Sequence, residues 1–486
     1  MESRQNVNKG EGEGAAGKPA ILDPTKSPES VLERGLGLKE AVALNMIDMI
    51  GIGPFVVSPL VIRAMGGPQA LLAWTVGAVL ALLDGFVWSE LGAALPRAGG
   101  SYIFLREAYG AKRWGRLMSF LFVWQTLIQA PLVIASGAIG FAQYAAYLHP
   151  FSAYEQKAIS GAVVIVLVAL LYRRITTIGK ISMLLWIGVI GTMIWLIAGG
   201  AMHFNARMAF TFPPGAFHLS HLFFAGLGAA MVSTTYTYWG YYNICHLGGE
   251  LREPEKNIPR GIFISIAGIA VLYLAMQTSI LGVVPWQTAQ NSQFLVSTFV
   301  ETISGPFAAR IATLLVLWVA FASIFAALLG YSRVPYAAAL DGNFFAIFAR
   351  VHPEKKFPHV SLLFLGAVAF VSSLLFRLST VIAAILATRL LVQFIGQAIG
   401  IMRLHRIWPP ARFPFKMWLY PMPAILTMFG WAALFWATGP VRKWGLLVIG
   451  MGLAAFLLRA REMRQWPFAA GTENATVSTD AADAET

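Results

Sequence analysis

The sequence predicts an all-α membrane protein with about twelve transmembrane helices. Two observations support this fold class: long uninterrupted apolar segments and a low share of charged residues. Of the 486 residues, 57% are hydrophobic and 12% are charged, whereas a soluble domain usually carries about 25% charged residues. A chain so poor in charge cannot cover itself with a water-compatible surface. We expect helices because every backbone polar group in hydrocarbon must be paired within its own segment.

The apolar segments define the candidate spans, and the basic residues define their orientation. Lys and Arg concentrate in alternate loops, so the positive-inside rule places both termini in the cytoplasm of a multi-pass inner-membrane protein. The net charge of +13 is explained by these loops and does not indicate nucleic-acid binding. The predicted spans are 40–64, 68–95, 117–148, 158–172, 181–201, 220–247, 260–284, 308–331, 359–376, 380–402, 418–437 and 441–460.

The two ends of the chain differ from this apolar region. Residues 1–35 are polar and rich in glycine, and they lack the apolar core of a cleavable signal peptide. Residues 461–486 end in a small, polar, acidic stretch. We expect both segments to be disordered and cytoplasmic, on either side of a transmembrane domain at 36–460. Cys245 is the one cysteine, so no disulfide or thiolate metal cluster can form within the chain. We predict no metal and no cofactor.

The first span contains residues that interrupt a helix. Gly51, Gly53 and Pro54 lie near its middle. Proline removes a backbone donor and clashes with the preceding turn, and glycine tolerates unwound geometry. The sequence therefore predicts a broken helix, with free N–H groups where its second half begins.

The sixth span contains a comparable interruption, Thr234–Asn243, which is β-branched and aromatic around Gly240. If spans 1–5 and 6–10 form two repeats, both interruptions occupy corresponding positions, which is typical of a transporter's binding site. A half-helix N-terminus offers N–H groups to a carboxylate, and unwound carbonyls can accept from an ammonium. The alternative is a pair of simple kinks packed against neighbouring helices.

Several motifs occur in an order that a known family shares. They are Gly51–Phe55; Glu90–Pro96 followed by Gly99–Tyr102; Gly249–Glu250 with Pro254–Arg260; and Phe413–Lys416 with Tyr420 and Pro421. On these motifs, the chain resembles the amino acid–polyamine–organocation superfamily of permeases over residues 36–460. The resemblance implies a LeuT-like fold: a five-plus-five inverted repeat with helices 1 and 6 unwound, plus two C-terminal helices. Repeat one would cover about 40–201, repeat two about 220–402, and the extra helices about 418–460.

The resemblance also implies secondary active transport by alternating access, by proton or cation coupling or by exchange. The substrate carboxylate would lie at the break in span 1, and its amino group would meet carbonyls of span 6. Tyr236 matches the family's aromatic gate. The remaining residues implied to bind substrate are Gly51, Ile52, Gly53, Pro54, Tyr238, Trp239, Gly240 and Tyr241.

Some positions depart from the family pattern. Many relatives have a small hydroxyl residue at Ile52 and an aliphatic residue at Pro54. Some polyamine carriers also have proline there, so a polyamine or organic amine carrier is the alternative. The basic residue midway along span 5 of some proton-coupled relatives is replaced by Gly188 or Val189. Loop 149–157 has no cysteine, which excludes a disulfide-linked heavy chain.

Ionisable residues within the membrane are functional candidates because a charge there is costly. We predict that Asp48, about one turn before the break, carries the coupling proton. The alternatives are a partner for unwound backbone or a contact for a substrate ammonium. Arg389 needs a partner, which Asp48 or Asp84 could provide.

Three further polar residues are candidates, and two of them allow two interpretations each. Glu250 either joins an inner-gate ion pair or is a surface residue. Gln125 either lines the site or ties helices together. Glu90 is expected to pair with loop arginines at the cytoplasmic end of span 2.

The sequence therefore predicts a transporter and not an enzyme, because its histidines lack metal-ligand spacing. Around the breaks, no acidic residue other than Asp48 accompanies the aromatic and aliphatic groups, which favours neutral, apolar amino acids. A transporter-like sensor without flux is the alternative from another class. The oligomeric state is left open.

Overall fold

A computed structural model describes residues 32–376, 385 and 388–468 of the chain. Within these residues the secondary structure is helical, and β-type pairing is limited to two isolated bridges, Leu36 with Leu251 and Ala98 with Leu247. Most of the two predicted disordered segments, 1–35 and 461–486, lies outside the described residues. Part of predicted span 10 does so as well.

The first half of the chain forms long helices joined by short segments. Ser152 caps α6 because its hydroxyl accepts from the N–H of Glu155, while the Glu155 carboxylate accepts from the N–H of Ser152, a reciprocal capping arrangement. The helices are α1 (Leu38–Met49), α2 (Gly53–Met65), α3 (Ala70–Ala94), α4 (Ser101–Tyr109), α5 (Trp114–Ala145), α6 (Ala153–Leu171), α7 (Ile175–Met202) and α8 (Ala206–Phe210).

The second half continues in the same way. The helices are α9 (His221–Tyr238), α10 (Asn243–His246), α11 (Pro254–Leu281), α12 (Trp286–Ala289), α13 (Leu295–Tyr331), α14 (Arg333–Leu340), α15 (His359–Leu375), α16 (Gly396–Ile407), α17 (Met422–Ala437) and α18 (Arg442–Glu462). A π-helical segment, Leu390–Ile395, leads directly into α16.

Helix length and surface chemistry identify a membrane protein. Among the described residues, 7 helices are long and apolar enough to cross a bilayer, or 8 if α1 and α2 count as one bent span. On α7, Leu184, Ile187 and Ile194 are 61%, 60% and 56% exposed, at spacings that place them on one helix face. Large exposed apolar faces are a liability in water but are required against lipid. The chain is therefore a multi-pass membrane protein.

The predicted interruption of span 1 is confirmed. Helix α1 ends at Met49 and α2 begins at Gly53, with a 45° bend between them. Pro54 is at the start of α2, where its missing N–H costs no intrahelical hydrogen bond.

The predicted interruption of span 6 is also present. Helix α9 ends at Tyr238 and α10 begins at Asn243. Between them, Gly240 has φ +122°, and a Cβ built there would lie 2.8 Å from the backbone of both Asp48 and Met49. The two breaks therefore contact each other directly, backbone against backbone.

Helices from the two halves pack against each other in pairs. Helix α2 packs on α9, α1 on α10, α3 on α11, α5 on α13, and α6 on α15. Helix α7 additionally contacts both α1 and α13. The two interrupted helices consequently lie at the centre of the molecule.

The start of span 8 differs from the prediction of 308. Helix α13 already begins at Leu295 and contains a kink at Gly305, whose φ is +80°. Only glycine adopts that conformation readily, and Pro306 then starts the second helical part. The apolar pattern predicted the part of α13 that follows the kink. It missed the part before the kink, which begins at Leu295.

Gly240→Ala should destabilise the protein because the added Cβ meets backbone atoms and the positive φ disfavours alanine. We expect a loss of at least about 2 kcal/mol of unfolding free energy, measured as a lower melting temperature in detergent. Gly450→Ala is the matched control, since a Cβ there meets nothing within 4 Å; it should be neutral or stabilising by about 0.5–1 kcal/mol. Equal melting temperatures for the two variants would contradict the close approach of the breaks.

Candidate functional site

A cavity lies where the two helix breaks meet. With its open mouth it encloses about 580 Å³ of space free of atoms. The first break contributes Asp48, Met49, Gly51, Ile52 and Gly53. The second break contributes Tyr236, Thr237, Trp239, Gly240 and Tyr242.

The remaining predicted site residues lie away from the cavity lining. The ring of Tyr238 packs between Trp74 and Tyr273, and the hydroxyl of Tyr241 donates to Asp84. The carbonyl of Pro54 accepts a hydrogen bond from Ser58. These three residues support the site without lining it.

Small residues allow the neighbouring helices to approach the first break. A Cβ on Gly51 would lie 2.6 Å from the Ser323 hydroxyl, and a Cβ on Gly53 would lie 3.0 Å from the Thr237 methyl group.

In the first turn of α2, the N–H groups of Phe55 and Val56 both donate to the Ile52 carbonyl, and Pro54 has no N–H. Among the described residues, the N–H groups of Ile52 and Gly53 have no backbone acceptor. These donors lie next to the cavity, at the positive end of the α2 dipole.

Side chains from several helices satisfy other backbone groups that the breaks leave free. The Asn45 amide donates to the Tyr241 carbonyl over 2.5 Å and accepts from the N–H of Ile244 over 3.1 Å. The Tyr273 hydroxyl lies 2.7 Å from the Met49 carbonyl and 3.1 Å from the Thr237 carbonyl. Both side chains bridge one break to the other, so they hold the two breaks in register.

Arg389 is the positively charged residue of the cavity lining. Its Nε donates to Gln393 Oε1 over 3.0 Å. Its guanidinium lies 4.6 Å from the ring centre of Trp239 and 5.3 Å from that of Tyr242. Asp48 lines the same cavity, but no ion pair between Asp48 and Arg389 is present in the described residues.

Asp84 is not the partner of Arg389 that the sequence allowed. Its carboxylate accepts from Tyr241 Oη over 2.5 Å, from Trp88 Nε1 over 2.8 Å and from Trp431 Nε1 over 3.1 Å. Trp88 is one turn away on the same helix, whereas Tyr241 and Trp431 reach Asp84 because the second break and α17 pack against α3, a consequence of packing that chain order does not show. Asp84 therefore ties the second break to α3 and α17.

The surface interpretation of Glu250 is wrong. Glu250 and Arg333 are 0% and 1% exposed and form two parallel hydrogen bonds, of 2.7 and 2.8 Å. The backbone beside the pair is bonded to the start of the described chain, since the N–H of Leu36 donates to the Glu250 carbonyl. Glu250 thus forms a buried ion pair at one end of the molecule, apart from the cavity.

Two other polar predictions have different outcomes. Glu90 pairs with His405 over 2.9 Å, in place of the expected loop arginines, because α16 brings this histidine against the end of α3. Gln125 is buried in α5, and its amide has no hydrogen-bond partner among the described residues. It does not line the cavity.

Sequence reasoning missed the walls that α5 and α13 provide. The α13 residues recur at helical spacing on one face, a signal that the high overall apolarity of that helix obscured. Gly188, at the position where some relatives are basic, instead accommodates the ring of Trp318, whose Nε1 would lie 2.3 Å from an added Cβ. The missed lining residues on these two helices are Val133, Gly137, Ala320, Ser323, Ile324, Ala327 and Tyr331, and those at the breaks are Met49, Thr237 and Tyr242.

Apolar helices around a central cavity at two helix breaks define a multi-pass membrane protein with an internal site. The family model described as amino acid permease matches residues 36–456. The chain therefore belongs to the amino acid permease family.

Curated relatives are transporters with several different names. Cationic amino acid transporter 4 of Mus musculus is 25% identical over 79% of this chain and 62% of its own length. The serine/threonine exchanger SteT of Bacillus subtilis is 26% identical over 71% of this chain and 77% of its own length. The aspartate-proton symporter of the same species is 27% identical over 69% and 66%. The chain thus matches less than two thirds of the first of these relatives.

Removing one partner of the buried pair should be costly. Glu250→Gln leaves the Arg333 charge buried without its counter-ion, so we expect a loss of about 3–5 kcal/mol of unfolding free energy, measured by thermal unfolding in detergent. Glu253→Gln is the matched control, because its 3.1 Å pair with Lys256 is 70% and 66% exposed and contributes about 0–1 kcal/mol. If both substitutions lowered the free energy of unfolding by a similar amount, the Glu250 carboxylate would not be shielded from water.

Proposed function

We propose that this protein is a secondary transporter that moves amino acids across the inner membrane by alternating access. The observation that carries the proposal is the cavity between two helix breaks, one in each half of the chain. In many transporters a substrate binds between such broken helices. Membership of the amino acid permease family supports an amino acid as the substrate.

The full architecture belongs to the proposal. We infer about twelve spans arranged as two inverted repeats and two extra helices, with repeat one at about 40–201 and repeat two at about 220–402. The helix pairs α1–α10, α2–α9, α3–α11, α5–α13 and α6–α15 support this arrangement, because each joins elements at equivalent places in the two halves.

Both termini are proposed to be cytoplasmic. The start of the described chain pairs with Leu251, and Arg459 near its end donates to the Gly342 carbonyl. The same end of the molecule carries Arg106, Lys112 and Arg116. This concentration of basic residues beside both chain ends is what the positive-inside rule requires of the cytoplasmic side.

The site geometry supports a zwitterionic substrate. The α-carboxylate would lie at the start of α2, where Gly51, Ile52 and Gly53 border the cavity. The N–H groups of Ile52 and Gly53 would donate to it, since they have no backbone acceptor among the described residues. The ammonium would face the carbonyls of the second break. A polyamine is disfavoured because the fixed positive charge of Arg389 lines the same space.

The walls give partial guidance on the substrate side chain. Val133, Ile324 and Ala327 are apolar, which supports the sequence-based preference for a neutral, apolar amino acid. Arg389 also lines the cavity and offers a charged contact, which the sequence-based prediction did not take into account. Relatives are named for serine and threonine, for aspartate, and for cystine and glutamate, so family membership leaves the side chain open.

Asp48 is proposed to carry the coupling proton. It is the acidic residue of the cavity lining, and its carboxylate forms no ion pair in the part of the chain that the structure describes. The other carboxylate near the breaks, Asp84, already accepts three hydrogen bonds. A carboxyl without fixed partners beside an accessible cavity can exchange a proton when the substrate enters.

Glu250 and Gln125 are proposed to act in gating. The Glu250–Arg333 pair ties the segment after α10 to α14, so opening of the cytoplasmic side would have to move or separate it. Gln125 offers a buried amide on α5, a helix that also lines the cavity through Val133 and Gly137.

The proposal predicts specific binding and flux. Purified protein should melt at a higher temperature with a subset of L-amino acids and not with putrescine or spermidine, because a ligand that binds the folded state stabilises it by mass action. At 100 times Kd the expected gain is about 2.7 kcal/mol. Proteoliposomes should accumulate the same amino acids. Binding without flux would instead indicate a sensor, and a shift with polyamines alone would overturn the amino acid assignment.

Asp48→Asn should abolish accumulation driven by a pH gradient while leaving exchange of internal for external substrate. The amide keeps the shape of the side chain but cannot take up the coupling proton. Uptake of labelled substrate into proteoliposomes, with and without an imposed pH gradient, measures both activities. Full retention of pH-driven uptake by this variant would exclude Asp48 as the proton carrier.

A further inference from the structure

We propose that Arg389 binds a carboxylate on the substrate's side chain, so that the cavity selects amino acids with an anionic side chain. The inference rests on the proposed function, since it names the substrate class of the same cavity. It changes the sequence-based preference for neutral, apolar amino acids.

The Arg389 side chain has a hydrogen-bond donor that no described residue uses. Arg389 is 1% exposed and lines the cavity. Its Nε is bonded to Gln393, but its Nη2 has no hydrogen-bond partner among the described residues. A buried donor without a partner is costly, and more so when it carries charge. A carboxylate entering the cavity would satisfy this donor.

The guanidinium is held in place by contacts that leave its Nη2 without a hydrogen-bond partner among the described residues. It stacks on Trp239 and Tyr242, and its carbon also lies 5.6 Å from the ring centre of Tyr331. Aromatic faces stabilise a desolvated cation without occupying its hydrogen-bonding edge. Gln393, which holds Nε, is itself bonded to Ser101 over 3.2 Å. The planar fork of the guanidinium matches a carboxylate in two parallel hydrogen bonds.

The backbone beside Arg389 has an unusual geometry. The π-helical segment Leu390–Ile395 begins at the next residue. π-helical turns are rare and occur frequently at functional sites, since the wider turn changes the direction of the neighbouring side chains. Here the turn directly follows Arg389, a lining residue with a fixed positive charge.

The charge balance of the cavity fits an anionic substrate. Among the described residues, the lining contains one acid, Asp48, and one base, Arg389; its tyrosines, Tyr236, Tyr242 and Tyr331, are neutral. His246 packs against Tyr242 and Tyr331 behind the lining. When Asp48 is protonated, the lining carries one positive charge. An amino acid with an ionised side-chain carboxylate carries one negative charge and restores neutrality.

This balance has a consequence for coupling. A proton on Asp48 and an anionic amino acid on Arg389 together bring no net charge into the membrane, where unbalanced charge is costly. Transport would therefore be driven by a pH gradient and be insensitive to the membrane potential. A neutral amino acid would leave Nη2 without a partner, and a basic one would meet a like charge.

Pairs of nearly isosteric substrates test the selectivity. L-Glutamate and L-aspartate should bind wild-type protein about tenfold to a hundredfold more tightly than L-glutamine and L-asparagine, the range expected for a hydrogen bond to a charged group. Binding is measured by titration calorimetry and by thermal shift. Arg389→Gln should remove the preference while keeping binding of the amides. Arg403→Gln is the matched control, because Arg403 is an exposed arginine on α16, which follows the π-helical segment. This variant should keep the preference for the acids.

The outcomes separate this inference from the proposed function. If wild-type protein binds and transports amino acids but does not prefer the acids over their amides, Arg389 has no such role and the transporter proposal stands. If no amino acid binds or is transported, the proposed function fails. If Arg389→Gln does not fold, Arg389→Lys decides, because it keeps the charge but loses the planar fork and should weaken the preference. Uptake of glutamate that follows a potassium diffusion potential would contradict electroneutral transport.

Discussion

The structure depends on one constraint: backbone groups freed by two helix breaks inside a membrane must find partners. Each unpaired group costs several kcal/mol in hydrocarbon. Asn45 and Tyr273 meet this need for both breaks at once, and Ser323 contributes a bond to the Asp48 carbonyl. Because Gly240 brings the two backbones into contact, the breaks form one unit.

This constraint also separates structural polar residues from candidates for function. Asp84 has three hydrogen-bond donors and a fixed place between α3, the second break and α17. Asp48 and Arg389 share the cavity, and within the part of the chain that the structure describes they form no ion pair and Arg389 Nη2 has no hydrogen-bond partner. Groups that the fold does not satisfy are the ones that a proton or a substrate can satisfy, and this difference underlies both proposals for the site.

The end of the molecule where the described residues begin is held by polar contacts of another kind. The buried pair of Glu250 and Arg333 lies beside the backbone bridge from Leu36 to Leu251, and Glu90 meets His405 nearby in the helical framework. An ion pair or an isolated backbone bridge can break in a single step, whereas apolar helices that pack along their length move together. If the protein works by alternating access, this end of the molecule would open at these contacts.

The sequence by itself determined the helical membrane fold and the places where two helices break. Both are local properties, set by apolar length and by glycine and proline. Of the residues it singled out, Asp48, Gly51, Ile52, Gly53, Tyr236, Trp239 and Gly240 line the cavity between the breaks. Only the tertiary structure decided that Tyr238 and Tyr241 turn away while Arg389 and Tyr331 turn in. Helical periodicity is lost across a non-helical segment, so the directions of side chains at the second break cannot be predicted from the flanking helices. The rotation of the helical elements that carry Arg389 and Tyr331 depends on packing between distant parts of the chain, which chain order does not encode.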